Sequence, residues 1–250
     1  MNRKAWLSIL LILISGSLFS FPFTNPTYVT PHRGLRGSLD MSVVRRVVKQ
    51  PGDDAKLNSY RALAKPAYGI LPLVEIFGLI GAGDFNMKSL QPKIYDDYNG
   101  SWEIAMGGGL RIYVANLYLF QCYTEGLFYT NYSRDKVWQS DEIEYETDFR
   151  WREYAFSGYG SIQFGSLRFF VGAQWVILEA TIHRDTYRHS GDTRYQVNIE
   201  EEYFLDPTQM PKPIVGVELQ LPRYLVLNLE LTLWKKDELS FSLGASQLKE

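Results

Sequence analysis

Beyond residue 33 the chain alternates. Across 225–233 every odd position is leucine, from Leu225 to Leu233, while the even positions between them are Val226, Asn228, Glu230 and Thr232. Residues 213–221 set Val215, Val217, Leu219 and Leu221 against Gly216, Glu218 and Gln220. Residues 102–114 set Trp102, Ile104, Met106, Leu110 and Ile112 against Glu103, Arg111 and Tyr113. The same period of two runs through 167–177 and 239–246. A helix would repeat its apolar residues every three or four positions, so these are strands with one apolar face. About ten are predicted, near 34–48, 58–71, 74–86, 101–113, 117–131, 149–164, 167–182, 212–221, 225–234 and 238–247. The first two fit least well, because Arg45 and Lys65 fall on their nominally apolar face.

Strands of this length exceed the usual five or six residues and match what a tilted strand needs to cross a bilayer. The links between them alternate in length. Pro72-Leu73, Val114-Ala115-Asn116, Gly165-Ser166 and Pro222-Arg223-Tyr224 read as tight turns. Residues 87–100, 132–148 and 183–211 read as long polar loops, and 49–57 is intermediate. Around Gly165-Ser166, Phe164 would oppose Leu167 and Ile162 would oppose Phe169, so apolar faces meet. With the N-terminus on the inner side, these tight turns fall on one side and the long loops on the other, with Lys235-Lys236-Asp237 the one short outer link. A sheet in lipid must close, since no backbone group can stay unpaired there. The expected fold is all-β: a closed antiparallel up-and-down transmembrane β-barrel of about ten strands, with eight or twelve as alternatives. Its short turns would be periplasmic and its long loops outer.

The N-terminus reads as an export signal. Asn2-Arg3-Lys4 precedes the apolar run Ala5 to Ile14, and the small residues Ser15-Gly16-Ser17 place cleavage after Ser17, with Ser20 as the alternative. Residues 18–33 are then a lead-in and 34–248 a single barrel domain.

Composition narrows the chemistry. Lys+Arg number 26 against 28 Asp+Glu, a net charge of −2, which speaks against nucleic acid as a partner. Cys122 stands alone, so no disulfide framework or thiolate zinc site is expected. Aromatic residues make up 15% of the chain. On the lipid face, Trp102, Tyr154 and Trp175 would lie towards the outer interface and Tyr118, Phe164 and Phe169 towards the periplasmic turns.

With its signal peptide, dyad repeat, loop asymmetry and glycine-bearing strands such as 74–85 (VEIFGLIGAGDF), the chain resembles the bacterial outer-membrane β-barrels of the opacity-protein and small OmpA-like type. The resemblance covers roughly 33–248 and matches the class, not a member. It implies residence in the outer membrane of a bacterial cell, with the lipid bilayer, lipopolysaccharide and the barrel-assembly machinery as partners. Such barrels usually finish on an aromatic residue, whereas this chain finishes Gln247-Leu248-Lys249-Glu250.

The polar face supplies a lumen. It carries Asp40, Glu75, Glu103, Glu125, Glu153, Glu218 and Glu230 against Arg36, Arg111 and Arg168, with Glu75 near Arg111 and Arg168 near Glu218. Ten strands enclose little more than side chains need, and Tyr113, Tyr123, Tyr129 and Tyr159 would take much of that space. The charges read as structural and the lumen as plugged or very narrow. The function expected is a structural or surface-interaction barrel, with a small cation-preferring channel as the alternative.

No catalytic residue, cofactor or metal is expected. Asp96-Asp97 and His183-Arg184-Asp185 supply the ingredients of an omptin-like barrel protease, but at no diagnostic spacing. Ser190 beside His189 does not make a nucleophile–base pair. Gly107-Gly108-Gly109 lies inside an alternating strand and reads as close strand packing, not a phosphate loop. A secreted, soluble lipid-binding barrel would have to expose Phe77, Leu79, Phe170, Val176 and Val226 to water.

Overall fold

The computed structural model describes residues 33–48, 55–88, 98–117, 120–140, 142–190, 193–207, 211–221, 225–235 and 238–249. The signal segment, Tyr118, Asp96-Asp97 and Pro222-Arg223-Tyr224 lie outside them. Thirteen strands occur among the described residues: β1 (Leu35–Val48), β2 (Ala55–Leu71), β3 (Val74–Gly83), β4 (Asn86–Lys88), β5 (Tyr98–Asn99), β6 (Glu103–Leu117), β7 (Phe120–Ser140), β8 (Ile143–Phe164), β9 (Leu167–Ser190), β10 (Thr193–Pro207), β11 (Lys212–Leu221), β12 (Leu225–Lys235) and β13 (Glu238–Lys249).

They form one antiparallel sheet in up-and-down order. The ladders run β1–β2–β3–β6–β7–β8–β9–β11–β12–β13, and β1 has a neighbour on each edge: Asp40 stands opposite Leu63 of β2 and opposite Gly244 of β13. β4 and β5 extend β2 at the outer end, and β10 pairs with the upper half of β9. At the hairpin between β8 and β9, Phe164 faces Leu167 and Ile162 faces Phe169, the register read from the sequence. Gly165 turns the chain there at φ 58°, a conformation that a side chain would strain.

The alternation resolves into two faces. One is buried. The other exposes large apolar side chains: Leu39, Met41, Ile104, Val114 and Val171 are 61–69% exposed. On β9 this outward row runs Leu167, Phe169, Val171, Ala173, Trp175, Ile177 and then turns polar at Glu179. On β8 it runs from Phe164 to Tyr154 before Arg152 and Arg150. Ten residues at about 3.3 Å each, tilted by about 40°, span roughly 25 Å, the height of the apolar band of an outer-membrane barrel.

Three expectations are corrected. The stretches 132–148 and 183–211, read as loops, are largely strand, because β7 reaches Ser140, β8 starts at Ile143 and β10 covers 193–207. A hairpin standing in water needs no apolar face, so the alternation that marks a span disappears while strand-formers such as Tyr145, Thr147 and Val197 remain. The tight turn expected at Val114-Ala115-Asn116 is instead part of the β6–β7 ladder, which continues to Leu117 opposite Phe120 with a register shift between Tyr113 and Ala115. That irregularity reverses the polar–apolar parity and mimics a strand end. In β2 the faces are exchanged: Arg61, Leu63, Lys65 and Ala67 are buried, while Tyr60, Tyr68 and Ile70 point outward. Lys65 is inside because carboxylates wait there.

Candidate functional site

The buried face is organised in tiers. Towards the tight turns lie Tyr113, Tyr123, Tyr159 and Phe170, with Tyr123 and Tyr159 stacked at 4.8 Å between centroids. At the same end Arg168 Nη1 donates to Gln121 Oε1 at 3.0 Å, and Nη2 donates to Gln163. Arg168 and Glu218 are register neighbours on β9 and β11, yet the guanidinium turns to these amides and not to Glu218.

Above this tier a chain of charges crosses from strand to strand with alternating sign. Arg36 on β1 donates to Glu75 on β3 at 2.5 Å. Arg111 Nη1 on β6 lies 3.4 Å from the same Glu75 Oε1, while its Nε and Nη2 donate to Glu125 Oε2 on β7 at 2.9 and 2.6 Å. Lys65 Nζ on β2 stands 3.7 Å from Glu125 Oε2 and 3.8 Å from the centre of the Phe77 ring. Each of these five side chains is at most 1% exposed. A buried charge must be matched or it will not stay charged, and here cation and carboxylate follow each other across the interior.

A third tier pairs Arg61 with Glu153 at 3.6 Å, with the Arg61 guanidinium 4.2 Å over Tyr129 and Trp151 Nε1 donating to Glu153 at 3.3 Å. Outermost, Phe85 packs on Phe149 and Trp151 at 5.1 and 4.8 Å, among Leu57, Leu79 and Leu178. Phe77 lies across Gly109: a Cβ there would come within 2.5 Å of its ring, and one at Gly107 within 2.2 Å of the Phe128 carbonyl. The triple glycine is close strand packing.

Of the residues singled out in the sequence, Glu75, Arg111, Glu125, Glu153, Arg168, Glu218 and Glu230 are all buried, and Glu103 is half-buried near the outer end, where it accepts from Ser101 Oγ at 3.2 Å. Trp102, Phe164, Phe169 and Trp175 are 47–59% exposed on the outward face, and Tyr154 packs on Phe128 at 5.2 Å. Arg61 and Lys65 were missed as inward groups. The signal was present: the even positions 60–70 of β2 are free of charge, and the odd positions carry both cations.

Above the apolar band the outward side of β7–β10 is charged. Glu144, with a side chain 1% exposed, takes Lys136, His189 Nε2 (2.5 Å) and Arg194 (3.4 Å) as partners, and Arg194 also reaches Glu146 at 2.9 Å. Burial alone would raise the Glu144 carboxyl. Hydrogen bonds from Lys136 and His189, with the Arg194 charge, outweigh it and hold the group below its ordinary value. A carboxyl depressed in the folded state stabilises above its unfolded pKa, and that contribution is lost as pH falls through the folded value. An NMR titration of the Glu144 side-chain carbon is expected to give a midpoint below 4.5. A midpoint at or above that value would mean the network is not formed in solution. His183 Nε2 lies 3.4 Å from Asp185 Oδ1 on the same outward side, both part-exposed.

Charges inside and bare leucine, isoleucine and phenylalanine outside invert the arrangement of a water-soluble protein; lipid is the surround that suits it. The described strands have the inside-out, up-and-down antiparallel arrangement of a membrane-spanning sheet. No protein-family model and no curated protein matches the sequence. Among solved structures it is similar to the translocator domain of the autotransporter NalP from Neisseria meningitidis, with 10% identity, 98% of this chain and 94% of that one covered, and a TM-score of 0.48. It is also similar to the outer membrane protease OmpT from Escherichia coli (8% identity, 90% and 97% covered, TM-score 0.42). A third is an outer membrane channel from Pseudomonas putida F1 (11%, 92% and 100%, 0.42). At these identities the likeness is one of fold.

Proposed function

We propose that the chain is a closed, ten-stranded outer-membrane barrel of structural and surface-interaction type, with an interior filled by its own side chains. The observation that carries this reading is the burial of inward groups that would line a pore: Lys65, Glu75, Arg111, Tyr129, Trp151, Glu153, Gln174, Glu218 and Glu230 are all at 0% exposure. An aqueous lumen would wet them. Ten strands leave an interior that side chains alone can fill. The buried charges in the span are also close to balance once β2 is included: Asp40, Glu75, Glu125, Glu153, Glu218 and Glu230 face Arg36, Arg61, Lys65, Arg111 and Arg168.

The lipid bilayer would then meet the apolar band, and lipopolysaccharide the exposed Arg150 and Arg152 at its outer margin. The barrel-assembly machinery would insert a chain exported by residues 1–17. What acts on the outside is the sheet of β7–β10. Reconstituted in planar bilayers, the protein is expected to give no stable conductance steps. Cation-selective steps that change when Glu125 or Glu103 is replaced by glutamine would overturn the filled interior in favour of a small channel.

A further inference from the structure

On β8 the outward row passes from Tyr154 to Arg152 and Arg150, two and four residues beyond the apolar band. At about 3.3 Å per residue and a tilt near 40°, they stand roughly 5 and 10 Å above the hydrocarbon, the depth of the lipid headgroups. Among the described residues, the other exposed arginines of β7–β10 each have an acid. Arg134 holds Asp148 at 2.8 Å, Arg188 holds Glu142 at 3.4 Å and Arg194 holds Glu146 at 2.9 Å. Arg152 reaches Glu179 only at 4.0 Å. Arg150 is exposed and has no hydrogen bond or ion pair among the described residues.

In register Arg150 stands between Tyr132 of β7 and Thr181 of β9, and Arg152 between Thr130 and Glu179. Two arginines thus leave one face of a strand about 6.6 Å apart, with a hydroxyl residue on either side of the upper one. Below them the surface turns apolar and aromatic: Tyr154 packs on Phe128 at 5.2 Å, and Trp175 and Ile177 are 49 and 40% exposed. In bulk water a lone arginine needs no partner. In the headgroup layer the anion at hand is phosphate, which a guanidinium fork grips with two hydrogen bonds.

We propose that Arg150 and Arg152 hold the phosphate of one outer-leaflet lipid, whose acyl chains lie down the surface of Phe128, Tyr154 and Trp175. This deepens the reading above, which sets the outer leaflet against these arginines, and rests on its orientation of the barrel. Such a lipid is held singly and by its headgroup, unlike the fluid annulus around the remaining strands. The 4.0 Å contact with Glu179 is long enough for a phosphate to take over Arg152. Arg134 stays out of the site, because Asp148 and Tyr132 occupy its guanidinium.

The test uses the full-length chain folded in uncharged maltoside micelles, with folding checked by circular dichroism. Lipid A, its dephosphorylated form and phosphatidylglycerol are each titrated in, and native mass spectrometry counts the lipids retained per chain. One phosphate-bearing lipid per chain is expected to stay bound, while dephosphorylated lipid A does not exceed the micelle background. Arg150→Gln and Arg152→Gln should each weaken retention about tenfold, and Arg188→Gln, whose guanidinium lies far above the band, should leave it unchanged. Retention of lipid A alone assigns the phosphate to the glycolipid, and retention of phosphatidylglycerol as well extends the site to lipid phosphates in general. Equal retention of the two forms of lipid A, or folded Arg150→Gln that binds like wild type, overturns the site and leaves the barrel intact. So does displacement of the lipid by an equal concentration of inorganic phosphate. A chain that does not fold in micelles overturns the barrel reading and this one with it.

Discussion

Replacing Arg111 with methionine is expected to lower the unfolding free energy by about 3–5 kcal/mol, the range for removing one partner from a buried ionic group. Arg111 is the middle of the interior chain and serves two carboxylates, Glu75 and Glu125, that are at most 1% exposed. Without it, Glu75 keeps Arg36 and Glu125 keeps Lys65 at 3.7 Å, so each acid loses its central partner but not all its partners. Arg134→Ala is the control. Its guanidinium donates to Asp148 at 2.8 Å, a shorter contact than several inside, yet it is more than half exposed and water can replace it. Its loss should cost below about 1 kcal/mol. Urea titration in lipid vesicles, followed by tryptophan fluorescence, measures both. Equal small effects would mean that the interior is wet and that the charges of the ionic chain are solvated individually.

The spans were legible in the sequence because lipid imposes a simple rule on them: each outward residue must be apolar, so the period of two survives along 167–177 and 225–233 without interruption. Where another constraint acts, the rule weakens. In β2 the outward row carries Ala62, Ala64 and Pro66 between its tyrosines and the inward row carries Leu63, so the apolar contrast between its faces is weak and only the placing of charge marks the inside. In β6 the shift between Tyr113 and Ala115 broke the parity, and the strand seemed to end four residues early. Outside the membrane neither face is obliged to be apolar, which is why the outer ends of β7, β8 and β9 and the whole of β10 read as loops.

The interior was half legible. Which residues point inward follows from parity, and Glu75 near Arg111 followed from their place at the same end of neighbouring strands. Which of them bond does not follow, because long side chains choose among several neighbours. Arg168 selected Gln121 and Gln163 over the acid beside it, and Arg36 reached Glu75 two strands away. The network of Glu144 with Lys136, His189 and Arg194 joins strands that the sequence did not announce, so no spacing could have revealed it.

Leu229 and Glu230 are neighbours on β12 and decide the matter between them. Leu229 stands outward between Val217 of β11 and Leu243 of β13 in register, near the middle of the span, while Glu230 is fully buried on the other face. The two residues differ in depth by a single step, so depth cannot account for a difference in their response. Leu229→Arg sets a charge in hydrocarbon and is expected to cost about 2–4 kcal/mol. Glu230→Gln keeps the shape and removes a charge from the polar side, at far smaller cost. Refolding equilibria of both variants in lipid bilayers test the inside-out barrel most directly. The expected result is a large loss for Leu229→Arg beside a small one for Glu230→Gln, and equal losses, or the reverse order, would contradict it.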